Sequence, residues 1–83
     1  EGWIPRIEIF PNPARESALV RLSNHFGDWK MQVRDSQGRL LQAIQGSGEQ
    51  AIRLAQGEWR AGMYFVTVTE SNGNTATQKL IFQ

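Results

Sequence analysis

A two-residue hydrophobic period constrains this chain more than any other feature, because apolar side chains recur at every second position in short segments parted by Gly, Asn, Asp and Ser. Successive residues of a strand point to opposite faces, so this period is the signature of strands with one buried face. In Ser17 to Ser23 it sets Ala18, Val20 and Leu22 on one side. In Trp29 to Asp35 it sets Trp29, Met31 and Val33 inward against Lys30, Gln32 and Arg34. Met63 to Thr69 repeats the pattern with Tyr64, Val66 and Val68, and its β-branched residues favour an extended chain. Arg6 to Phe10, Arg39 to Gln45, Gln50 to Leu54 and Thr75 to Gln83 complete a set of about seven strands.

The punctuation agrees. Asp35-Ser36-Gln37-Gly38 predicts a type I turn ending in a glycine at positive φ, and Asn72-Gly73 predicts a type I′ hairpin that pairs the last two strands. Pro11 and Pro13 lack the donor N–H, so Pro11-Asn12-Pro13 is expected to end the first ladder in a bend or an edge. Gly46-Ser47-Gly48 is expected to be a flexible loop. Seven short strands with frequent turns predict an all-β fold, an immunoglobulin-like sandwich of antiparallel strands. Residues 1–6 read as the end of a linker, with Trp3 and Ile4 able to pack on the sandwich edge, and residues 7–83 as one domain.

The chain has 83 residues, near the lower end of the range that buries a self-sufficient core without disulfides or metals, and no cysteine, so disulfides, thiol nucleophiles and zinc–thiolate sites are excluded. Nine basic residues face eight acidic ones without a run of either sign. Nucleic acid or an anionic membrane surface needs clustered Lys or Arg, so neither is an expected partner. The longest apolar run is far too short to cross a bilayer, and no membrane insertion is expected. The start at Glu1, with no Met or apolar leader, is read as the start of an excised piece.

Few side chains offer chemistry. His25, the one histidine, stands in a turn-like segment where Ser23 and Asp28 are by type available as nucleophile or acid partners, and reads as a solvated loop residue. The carboxylates are scattered singly, without the spacing of a glycosidase pair or a calcium loop, and no metal or cofactor is expected. Among the aromatics, Trp29 shares the inward register of Met31 and Val33, whereas Trp59 follows Gly57-Glu58 and is the candidate for an exposed sugar-stacking platform. The end of the chain is the oddity. Leu80, Ile81 and Phe82 are consecutive, so a strand there must show an apolar group on both faces. Either Ile81 offers an edge for strand addition by a partner, or it caps the sandwich against a neighbouring domain.

These segments, in order, resemble the type A C-terminal sorting domain of the type IX secretion system, also called the Por secretion system, of Gram-negative Bacteroidetes. Ile9-Phe10-Pro11-Asn12-Pro13-Ala14 is similar to the family's opening motif and Ala18-Leu19-Val20-Arg21-Leu22 to its second strand. Val33 to Leu41 resembles its strand, turn and strand about a glycine, here Gly38. Gly62-Met63-Tyr64-Phe65-Val66-Thr67-Val68 resembles its Gly-x-Tyr-x-Val-x-Val strand, and Gly73 through Gln83 its Lys-Leu-hydrophobic ending. Gln83 departs from the terminal Lys or Arg of many members, and Gln56 to Arg60 is bulkier than the usual approach to the Tyr strand.

The resemblance implies a non-catalytic label on a larger N-terminal cargo, carried through the periplasm to the cell surface or medium. Its implied partners are the outer-membrane translocon and a sortase-like peptidase that removes the domain. Lys79, Leu80, Ile81 and Phe82 are expected to carry translocon recognition, with Gly73 placing their strand. Pro11, Asn12, Pro13, Gly38, Gly62 and Tyr64 are expected to maintain the fold. The alternatives are a carbohydrate-binding or adhesion sandwich of a secreted hydrolase, and a structural spacer.

Overall fold

A computed structural model describes residues 6–23 and 27–83. Seven strands form: β1 (Arg6–Arg15), β2 (Ser17–Ser23), β3 (Asp28–Asp35), β4 (Leu40–Ser47), β5 (Gln50–Ala55), β6 (Gly62–Glu70) and β7 (Thr75–Phe82). They build two facing sheets, β1-β2-β5 and β4-β3-β6-β7. The ladders are antiparallel except for a single parallel bridge, Ala14 to Phe82, between the first strand and the last. The fold is the expected immunoglobulin-like sandwich. Trp3, Ile4 and His25 lie outside the described residues, as does all of the expected linker end except Arg6, which opens β1.

The core is what the alternation requires. Ala18, Val20 and Leu22 of β2 and Leu54 of β5 meet Trp29, Met31 and Val33 of β3, Tyr64, Val66 and Val68 of β6, and Leu80 and Phe82 of β7, all buried. Sheets packed this way stand about 10 Å apart, and interdigitation of these side chains fills the gap.

β1 holds the sandwich together in an unexpected way. The ladder to β2 runs from Arg6↔Ser23 to Phe10↔Leu19 and then shifts register before Arg15↔Ser17. Pro11 and Pro13 therefore end that ladder, as their missing N–H groups dictate, but they do not end the strand. The chain bends at Pro11-Asn12-Pro13, where both X–Pro bonds are cis, leaves β2 and runs beside β7. Ala14, fully buried, seats this crossing between the sheets.

Two hairpins share one design. At β3–β4, Gly38 N–H donates to Asp35 C=O and Asp35 N–H to Arg39 C=O, both at 3.0 Å, with Gly38 at φ 87°. At β6–β7, Gly73 N–H donates to Glu70 C=O at 2.9 Å and Glu70 N–H to Asn74 C=O at 2.8 Å, with Gly73 at φ 98°. The second differs from the expected type I′ turn, which needs positive φ at Asn72 as well; Glu16 is the only non-glycine with positive φ among the described residues. A type I turn closed by a left-handed glycine fits instead, with Asn74 N–H donating to Asn72 Oδ1 at 3.0 Å.

Gly46 corrects another expectation. It lies inside β4, paired with Trp29, rather than in a loop. The indole covers it so closely that a Cβ there would sit 2.4 Å from Trp29 Cζ2, while the indole N–H donates to Gly48 C=O at 2.9 Å. A bulky ring over a strand demands the residue without a side chain.

Candidate functional site: the last strand and the face it completes

Leu80 and Phe82 point into the sandwich and are buried, whereas Lys79 is exposed and Ile81 half-buried on the outer surface. Period two thus divides the apolar triplet: two members anchor the strand and one is displayed. Phe82 closes an aromatic triangle. Its ring meets Tyr64 edge-on at 5.8 Å between centroids and Trp59 at 6.2 Å, and Trp59 stacks on Tyr64 at 5.4 Å. The Tyr64 hydroxyl donates to Arg60 C=O, a tyrosine four residues downstream of its acceptor, as in the tyrosine corner of immunoglobulin-like folds. Gln56 Nε2 donates to Trp59 C=O at 2.9 Å and fastens the same loop. Trp59 is therefore half-buried against the core, not the exposed platform that sugar stacking requires.

The outer edge of β7 is not free over its last residues. Asn12 uses its side-chain amide as a substitute backbone: Nδ2 donates to Lys79 C=O at 2.8 Å, and Oδ1 accepts from Ile81 N–H at 3.0 Å. Gln83 N–H donates to Ala14 C=O at 2.8 Å, and Arg15 Nε donates to Gln83 Oε1 at 3.2 Å. The expectation that this stretch presents bare N–H and C=O groups for strand addition is therefore corrected. Two prolines deprive β1 of backbone donors there, and the Asn between them supplies the missing pair. Gly62, at φ 152°, pairs with Phe82 on the opposite side.

The register then defines a surface. Arg34 pairs with Leu40 on one side and Phe65 on the other, and Phe65 pairs with Lys79, so these four outward residues form a row across all four strands. Met63 and Ile81 pair in the next outward row. Leu40 is 45% and Met63 42% exposed, a high display for large apolar groups. Arg34 donates to Gly38 C=O at 3.2 Å and Gln32 Oε1 at 3.4 Å, both neutral. The opposite sheet differs: there Glu8 lies 3.7 Å from Arg6 and 3.5 Å from Arg21, and Arg21 covers the exposed Phe10 ring at 5.3 Å.

No reacting centre is assembled among the described residues. Ser23 ends β2 and Asp28 opens β3, on opposite sheets, and no group of three His, Cys, Asp or Glu able to hold a metal occurs among the described residues. The Asp35 carboxyl is held below its ordinary pKa. The Arg39 N–H at 2.9 Å is the main cause; desolvation opposes it, and the Gln37 N–H at 2.9 Å and the Arg39 guanidinium at 3.1 Å reinforce it. This is turn chemistry, an Asx motif that fixes the β3–β4 hairpin.

A two-sheet all-β domain whose last strand is sealed by its first belongs to the class of immunoglobulin-like β-sandwich domains. The model of the secretion system C-terminal sorting domain matches residues 8–83, and the chain belongs to that family, the type IX sorting domains. It is 29% identical over 77 residues to an endo-acting ulvan lyase of Formosa agariphila, covering 90% of this chain and 14% of that protein. Its fold matches part of dimeric latent PorU from Porphyromonas gingivalis at a TM-score of 0.71 and 22% identity, covering 94% of this chain and 9% of that one. The chain thus spans a small fraction of either relative.

Proposed function

We propose that this domain is the export label of a larger cargo protein, carried at the cargo's C-terminal end and read in the periplasm by the outer-membrane translocon of the type IX secretion system. The domain itself is chemically inert. The observation that carries this reading is the family match over residues 8–83, which includes every strand from β2 to β7 and all but two residues of β1.

Within it, Lys79, Leu80, Ile81 and Phe82 act together. Leu80 and Phe82 lock β7 into the sandwich, so that Lys79 and Ile81 stand at fixed positions for the receptor, and Gly73 turns the chain into that strand. Pro11, Asn12, Pro13, Gly38, Gly62 and Tyr64 keep this arrangement. After translocation a sortase-like peptidase cuts the precursor N-terminal to the domain, near or before Glu1, and the cargo stays on the cell surface or is released.

The test is transplantation. Residues 1–83 fused to the C-terminus of a periplasmic reporter, in a bacterium with this secretion system, should send the reporter to the surface or medium. Reporter that stays in the periplasm overturns the reading. Mass spectrometry of exported reporter should find it without residues 1–83; retention of the domain would overturn cleavage alone.

A further inference from the structure

We propose that the receptor contact is made by the outward half-face formed by Arg34, Leu40, Met63, Phe65, Lys79 and Ile81, and that its occupant is a protein presenting an apolar strip bordered by Asp or Glu carboxylates. This rests on the sorting reading above and changes where recognition happens: on a sheet face, not along a strand edge.

Three observations converge on that face. The edge route is closed where recognition was expected, because Asn12 and Ala14 already occupy Lys79 C=O and the N–H groups of Ile81 and Gln83. Of the four residues expected to carry recognition, Leu80 and Phe82 are buried, which leaves the Lys79 and Ile81 side chains for a partner to read, and both point outward. The register then extends them into a larger surface. The row Leu40–Arg34–Phe65–Lys79 crosses four strands, about 15 Å, and the Met63–Ile81 row lies about 7 Å away. Strands of a two-sided sandwich place polar groups outward by rule, so Leu40, Met63, Phe65 and Ile81 together break the pattern.

Charge indicates the occupant. The in-register charges of this half are Arg34 and Lys79, and neither meets a carboxylate among the described residues. The one acid in outward register on β3, Asp28, is six residues from Arg34, about 20 Å along the strand. On the other sheet, Arg6 and Arg21 bracket Glu8. Apolar side chains flanked by unneutralised cations are complemented by an apolar strip with an acidic border.

Two double variants of the reporter fusion test this: Leu40→Ser with Met63→Ser, and Arg34→Glu with Lys79→Glu. Each should lower export by about tenfold or more, as loss of a contact centre does, with urea midpoints of the 83-residue chain close to the parent. Arg53→Glu, on β5 of the other sheet, should export normally, as should Lys79→Arg. Normal export of the serine variant overturns the apolar contact, and normal export of the glutamate variant overturns the acidic border. A loss as large in Arg53→Glu overturns the assignment to this face. Failure of the parent fusion overturns the sorting reading itself. Two further outcomes overturn the proposed occupant: binding to phosphatidylglycerol vesicles that Arg34→Glu with Lys79→Glu abolishes, and a dimer in sedimentation that Leu40→Ser with Met63→Ser dissolves.

Discussion

Asn12 and Ile81 are joined by a hydrogen bond of 3.0 Å, from the Ile81 backbone N–H to the Asn12 side-chain oxygen, across 69 residues of sequence. The same amide donates to Lys79 C=O, so one side chain makes the two bonds that a neighbouring strand would otherwise make. Asn12→Ala should lower the unfolding free energy by about 1–3 kcal/mol, since two backbone groups lose their partner. Asn12→Asp should cost more, because its second oxygen faces the Lys79 carbonyl. Urea denaturation measures both, and the Ile81 amide should exchange with deuterium faster in each.

The contact between Trp29 and Gly46 gives a second prediction. Gly46→Ala forces the indole aside and should cost about 1–3 kcal/mol. In a Trp29→Phe background the space is relieved and the cost of the alanine should fall. A double-mutant cycle measures this coupling; simple additivity would contradict the close approach.

The aromatic triangle separates packing from hydrogen bonding. Phe82→Ala should cost about 3–5 kcal/mol, close to the whole stability of a domain this small. Tyr64→Phe keeps both ring contacts and loses only the bond to Arg60, at about 1 kcal/mol. Removing residues 79–83 deletes Leu80 and Phe82 together and should unfold the domain, seen as loss of the near-ultraviolet tryptophan signal. Loss of export in such a truncation therefore reports the fold rather than the receptor contact, which is why point variants of exposed residues are needed.

Asp35 sets an acid dependence. Its folded-state pKa lies below the ordinary 3.8, so its contribution to stability is present above the unfolded-state value and is lost as pH falls through the folded one. Thermal unfolding of the parent should weaken in that acid range. Asp35→Asn should lower the melting temperature at neutral pH and flatten the acid limb of the curve.

The strands were legible because period two is a local property. Each inward residue read from Ser17 to Ser23, Trp29 to Asp35 and Met63 to Thr69 is in the core. The same rule, applied to Leu80-Ile81-Phe82, leaves only Ile81 outside. What escaped were relations between distant parts of the chain. Asn12 looks like a turn residue until β7 lies beside it, Gly46 looks like a loop until Trp29 covers it, and Trp59 looks exposed until Phe82 and Tyr64 receive it. Similarly, Pro11 and Pro13 forecast a broken ladder correctly but not that the strand would go on to the other sheet. The outward face was hidden for the same reason: Leu40, Phe65 and Lys79 sit on three different strands and share one row only through register.

The passage of β1 from one sheet to the other also makes the domain a test of its own completeness. Asn12 and Ala14 are made before β7, and both wait for residues some seventy positions later before they have a partner. A copy of the domain that lacks β7 has a gap where Phe82 belongs and an unsealed seam beside Asn12, so the face is displayed intact only when first and last strands are both in place.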